Sequence, residues 1–153
     1  MSIAALITWL ITAGFGFFML IRWATSGGLR QVPGAGTNFP RVRVFAHFGL
    51  AAAGLIVWII YLVTGNTLLA WIAVADLVLV ALLGGLLVRQ WTKDGRAAMA
   101  GAVQSSAGAR RSDAGAADLA EQHIPRPPVV LHGIFAVSTV ILVLLSALGV
   151  AGG

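Results

Sequence analysis

Four runs of about twenty apolar residues dominate this chain, and each is long enough to cross the hydrocarbon core of a bilayer as a helix. They cover residues 3–24, 44–63, 67–88 and 129–150. Inside them the only charged residues are Arg22, near the end of the first, and Asp76, in the third. In lipid every backbone polar group must find a partner within the protein, so only helices and closed barrels can span. The runs lack strict apolar–polar alternation, which selects helices. Composition agrees: 59% of the 153 residues are hydrophobic and 10% charged, against about a quarter charged in soluble domains. The expected fold is a single all-α domain, a four-helix transmembrane bundle running up-down-up-down. The first run has neither a basic flank nor a small-residue cleavage site, and is expected to be a retained span.

The basic residues set an expected orientation. Arg22, Arg30, Arg41 and Arg43 surround the first connection, and Arg89, Lys93, Arg96, Arg110, Arg111 and Arg126 the third. The positive-inside rule places both long connections in the cytoplasm and both termini outside, in a plasma (inner) membrane. Trp9, Trp23, Trp71 and Trp91 fall near helix ends, where an aromatic belt sits. The TGNT turn at Thr64–Thr67 makes runs two and three an antiparallel hairpin. Residues 90–128 are rich in Ala, Gly and Ser with charges of both signs, and are expected to form a mobile loop. Asp113 could cap a short helix reaching Gln122. Pro127 and Pro128 suit the first turn of the fourth helix.

Composition also excludes functions. Without cysteine there are no disulfides, iron–sulfur clusters, thiolate zinc sites or cysteine nucleophiles. The net charge of +5 follows from topology and anionic headgroups. The stretch ARRSDAG is too short and mixed for a nucleic-acid surface. No phosphate-binding loop, dinucleotide fingerprint, nucleophile elbow or HExxH motif is present.

The apolar runs do carry two histidines, His47 and His132. Arg41 precedes the first by six residues and Arg126 the second by six; Val44 matches Val129, and Ala51 matches Ala136. Runs two and four are parallel in an up-down-up-down bundle, so the shared spacing, about 9 Å of helix, puts both histidines at one depth. Alternate helices of such a bundle are diagonal, so the histidines can face each other across the core. Such a pair can hold an iron porphyrin by its two axial positions, serve a proton path, or simply satisfy two cross-helix hydrogen bonds. Arg41, Arg43 and Arg126 lie where haem carboxylates would emerge, and arginine pairs well with carboxylates.

In this the chain resembles membrane b-type cytochromes, in which alternate helices of a four-helix bundle supply facing histidines and glycines make room for haem. The resemblance implies haem b as cofactor, His47 and His132 as axial ligands, and Gly14, Gly16, Gly84 and Gly85 as space-makers. It is one of architecture. Two heptads beyond the histidines stand Tyr61 and Ser146 rather than a second histidine pair, so it implies one haem at most. The Ala/Gly/Val-rich makeup, as in LHGIFAVSTVILVLLSALG, is also similar to small actinobacterial four-helix membrane proteins, a likeness that implies no activity.

Asp76 is the second marker. A carboxylate at mid-membrane costs about 2.5–3.5 kcal/mol on insertion scales, so it is expected to be protonated, paired or beside water. It could relay protons, or bond a hydroxyl such as that of Thr12. His123 reads as an interfacial loop residue. Three functions fit: a small haem protein passing electrons, alone or inside a larger redox complex; a scaffold or accessory subunit; and a proton-coupled carrier using Asp76, as a homo-oligomer.

Overall fold

The computed structural model describes residues 1–30, 36–106 and 119–150. They form α1 (Ser2–Trp23), α2 (Arg41–Thr64), α3 (Thr67–Ser106) and α4 (Arg126–Ala147). A π-helical turn, Ala24–Gly28, ends α1, and a 3₁₀ turn, Ala120–His123, precedes α4. All four helices are long and apolar enough to cross a membrane. Their outward faces carry side chains such as Ile3, Ile56, Leu82 and Ile134, each more than half exposed, as expected where the solvent is lipid.

The α2–α3 hairpin closes as its sequence directs. Gly65 takes a left-handed conformation (φ 67°) and donates its N–H to the Tyr61 carbonyl, the usual glycine stop of a helix. The Asn66 side-chain oxygen accepts the N–H of Leu68 at 3.0 Å and caps the start of α3.

Two corrections concern the connections. The segment expected to be a loop from residue 90 continues α3 to Ser106. It contains no proline and is rich in alanine, so nothing stops the helix. Gln90 bonds Asp94 one turn later, and the Trp91 indole donates to the Glu121 carbonyl at 3.0 Å. The short helix anticipated over Asp113–Gln122 falls largely outside the described residues; Ala120–His123 is a 3₁₀ turn. The second and fourth helices also begin three residues earlier than expected, at Arg41 and Arg126, each directly after a proline.

Around the bundle the order is α1–α2–α3–α4, with α1 packed closely on α4 and α2 on α3. The α1–α2 seam is the loosest. Two buried apolar clusters fill the bundle. One, toward the hairpin end, joins Trp9, Trp58, Ala73, Leu77 and Val143. The other, at the basic end, joins Trp23, Phe39, Ala120 and Ile124. His47 and His132 lie between them.

The basic end is closed by a hydrogen-bonded clasp. Glu121 is fully buried; its carboxylate accepts from the Thr37 hydroxyl at 2.7 Å and the Asn38 N–H at 2.7 Å. Thr37 in turn accepts the Trp23 indole N–H at 2.9 Å. Asn38 also donates to Asp94, and the Ala120 N–H bonds the Gly36 carbonyl. The clasp joins the segment before α2, the turn before α4, and the far part of α3.

Candidate functional site

His47 projects from α2 and His132 from α4, the two diagonal helices, and their ring centres are 6.2 Å apart with planes inclined by 58°. Each ring is held the same way. His47 Nδ1 lies 2.9 Å from the Val80 carbonyl of α3. His132 Nδ1 lies 2.9 Å from the Thr12 carbonyl of α1. A carbonyl only accepts, so both Nδ1 atoms carry the proton. That fixes the tautomer and leaves Nε2 with a free lone pair on each ring. Neither Nε2 has a hydrogen-bond partner among the described residues.

Each carbonyl belongs to a residue four positions before a glycine: Val80 before Gly84, Thr12 before Gly16. A Cβ on Gly84 would stand 3.0 Å from His47 Cε1, and one on Gly16 would stand 3.1 Å from His132 Cε1. The missing side chains therefore let an imidazole lie flush on the helix and reach its backbone. This corrects the expectation for the four glycines. Gly16 and Gly84 face inward but receive the histidine rings themselves. Gly14 and Gly85 are exposed with nothing within 4 Å of an added Cβ.

The two half-sites are related by a pseudo-two-fold axis along the bundle. His47 with Val80 and Gly84 repeats as His132 with Thr12 and Gly16. The correspondence runs further than the Arg–His spacing. Pro40 and Pro125 join the α2/α4 register, while Ala5 with Ala73, Gly16 with Gly84 and Trp23 with Trp91 share one constant offset between α1 and α3. Sequence reasoning missed this second register, although the paired tryptophans and glycines were there to find it.

The arginines sit at the basic end. Arg41 and Arg126 are the first residues of α2 and α4. Arg41 and Arg43 are half-buried and Arg126 is exposed; Arg41 Nε is buried without a hydrogen-bond partner. Two acids at that end, among the described residues, are otherwise engaged. Glu121 and Asp94 bond Thr37, Asn38 and Gln90. No arginine pairs with an acid among the described residues.

Asp76 lies on the α3 stripe that continues through Val80 and Gly84. Its carboxyl enters the notch left by Gly54 on α2, beside Trp9, and Oδ2 is buried without a partner. The anticipated Thr12 partner is not used: the Thr12 hydroxyl bonds the Thr8 carbonyl of its own helix at 2.8 Å.

Chemically, two neutral imidazole nitrogens are a thin ligand set. No cluster of three or more His, Asp or Glu able to hold a metal occurs among the described residues. A bare zinc or copper ion would want more donors, whereas a porphyrin brings four nitrogens and asks the protein only for axial ligands. Compared with protein-family models, curated proteins and solved structures, the chain finds no match in any of the three; it is an all-α four-helix bundle whose helices are long and apolar enough to cross a membrane.

Proposed function

We propose that this chain is a small integral membrane protein that binds one b-type haem between His47 and His132 and passes electrons, by itself or as a subunit of a larger redox complex. The observation that carries the reading is the paired Nδ1–H to carbonyl bond, which readies both Nε2 atoms as ligands. Metal-binding histidines characteristically donate their second nitrogen in this way. One ring comes from the α1–α4 pair and the other from the α2–α3 pair, so a flat macrocycle would lie in the seam between the pairs. Arg41, Arg43 and Arg126 would receive its carboxylates. Bound there, haem would supply one-electron chemistry, and the protein would hold the axial nitrogens and exclude water.

A second reading is a scaffold or accessory subunit. It is favoured by the same bonds, since each histidine ties two helices together without any ligand. A reduced-minus-oxidised absorption spectrum of detergent-purified protein, produced with haem available and assayed as pyridine haemochrome, separates the two. The haem reading expects a sharp α-band and about one haem per chain, lost in His47→Ala and in His132→Ala. A colourless, folded wild-type protein removes the haem reading and leaves the scaffold reading.

A further inference from the structure

At one layer of the bundle the pseudo-two-fold sets two hydroxyls against an acid. Two turns from His132 along α4, Thr139 bonds Thr8 of α1 hydroxyl to hydroxyl at 3.1 Å. The equivalent layer of the other pair holds Gly54 on α2 and Asp76 on α3. One half therefore has a satisfied neutral pair. The other has an acid, space made for it by a glycine, and a buried oxygen with no partner. A packing contact would be served by the threonine pair; leaving a carboxyl oxygen unpaired in an apolar interior has a cost that packing does not explain.

We infer that Asp76 is a redox-linked proton site, taking up a proton when an electron enters between the histidines and releasing it on oxidation; this rests on the haem reading. Asp76 stands one turn before Val80, whose carbonyl holds His47. Gly54, which receives its carboxyl, is seven residues from His47, about 10 Å of helix. At an effective dielectric of about 20, unit charges at that distance still interact by more than thermal energy. An electron added at the histidine layer therefore favours a proton on Asp76.

Among the described residues no other acid or base stands at this level. The neighbouring elements present Trp9 and Thr8 from α1, Gly54 from α2 and Thr139 from α4. The titratable and charged groups those helices carry lie elsewhere: Tyr61 two turns beyond Gly54, His47 and His132 at the ligand layer, and Arg22, Arg41, Arg43 and Arg126 at the basic end. The step balances simply. Asp76 takes one proton from water, its carboxylate becoming a carboxylic acid, as one electron arrives from an external one-electron reductant.

The test is a potentiometric titration of the haem-loaded protein in detergent, followed through the α-band at a series of pH values, for wild type and Asp76→Asn. The midpoint potential is expected to fall with rising pH in the wild type and to be independent of pH in D76N. A carboxylic-acid C=O stretch should appear in the wild-type reduced-minus-oxidised infrared difference spectrum and be absent from that of D76N. A wild-type potential without pH dependence, or a haem-loaded D76N that keeps the wild-type slope, overturns the inference and leaves the haem reading intact. A folded wild type without an α-band overturns both. Should D76N not fold, Asp76→Thr, which copies the Thr8 side of the molecule, gives the same two outcomes.

Discussion

Adding one methyl group at Gly84 should uncouple haem affinity from stability. In Gly84→Ala the new Cβ meets His47 Cε1 at 3.0 Å and Nδ1 at 3.5 Å. The first distance is shorter than an ordinary carbon–carbon contact of about 3.5–4 Å, so the ring must retreat by several tenths of an ångström. It can do so only by stretching its 2.9 Å bond to the Val80 carbonyl. Losing that bond costs about 0.5–1.5 kcal/mol. Replacing a mid-helix glycine by alanine returns about 0.5–1 kcal/mol. The two nearly cancel, so thermal unfolding in detergent should move little. On the proposed haem reading affinity should not cancel, because there the ring that moves is a ligand; loss of a ligand's supporting bond costs about 10–100-fold. The control is the next residue. Gly85 faces outward with nothing within 4 Å of an added Cβ, so Gly85→Ala should bind haem as wild type does and be slightly more stable. Haem titrations of purified apoprotein, read at the Soret band, give the ratio. Equal affinities for G84A and G85A would refute the claim that the glycine lets the carbonyl position His47.

Three further substitutions test other parts of the structure. Gly16→Ala places a Cβ 3.1 Å from His132 Cε1 and should repeat the G84A result, and the double variant should lose more affinity than either, by the same haem titration. Gly54→Ala forces Asp76 and Trp9 from their places and should destabilise by about 1–3 kcal/mol, the usual cost of overpacking, seen as a lower midpoint in detergent unfolding. Glu121→Ala leaves the Thr37 hydroxyl and Asn38 N–H without their acceptor at about 1–3 kcal/mol; limited proteolysis should then cut at the basic end while the spans stay protected.

The spans and the facing histidines were legible because both follow from length and depth. A run of twenty apolar residues is a statement about bilayer thickness, and equal Arg–His spacings on parallel helices are a statement about height. Rotation about the helix axis was not legible. That is why Gly14 and Gly85 read as well as Gly16 and Gly84, and why a hydroxyl such as that of Thr12 reads as one possible partner of Asp76, whose neighbours are Gly54 and Trp9. Packing fixes rotation, and packing depends on all four helices together. The length of α3 was misjudged for another reason. Beyond residue 90 the sequence turns polar, which resembles a loop to a hydropathy argument, while its alanines and lack of proline sustain a helix that the clasp holds in place.

The pseudo-two-fold bears on how such a site can arise. A ligand sitting on a rotation axis needs only one histidine from each side, so a chain of half this length could build the whole site by dimerising with itself. Duplication followed by fusion would then turn an interface between equal copies into the interior of one chain, as in other membrane proteins made of parallel repeats. If the proposed haem sits there, equality is enforced only at the axis, where both halves must supply the same imidazole at the same height. Away from it the copies are free to drift apart, and the layer where one half holds two threonines and the other an aspartate and a glycine records that freedom.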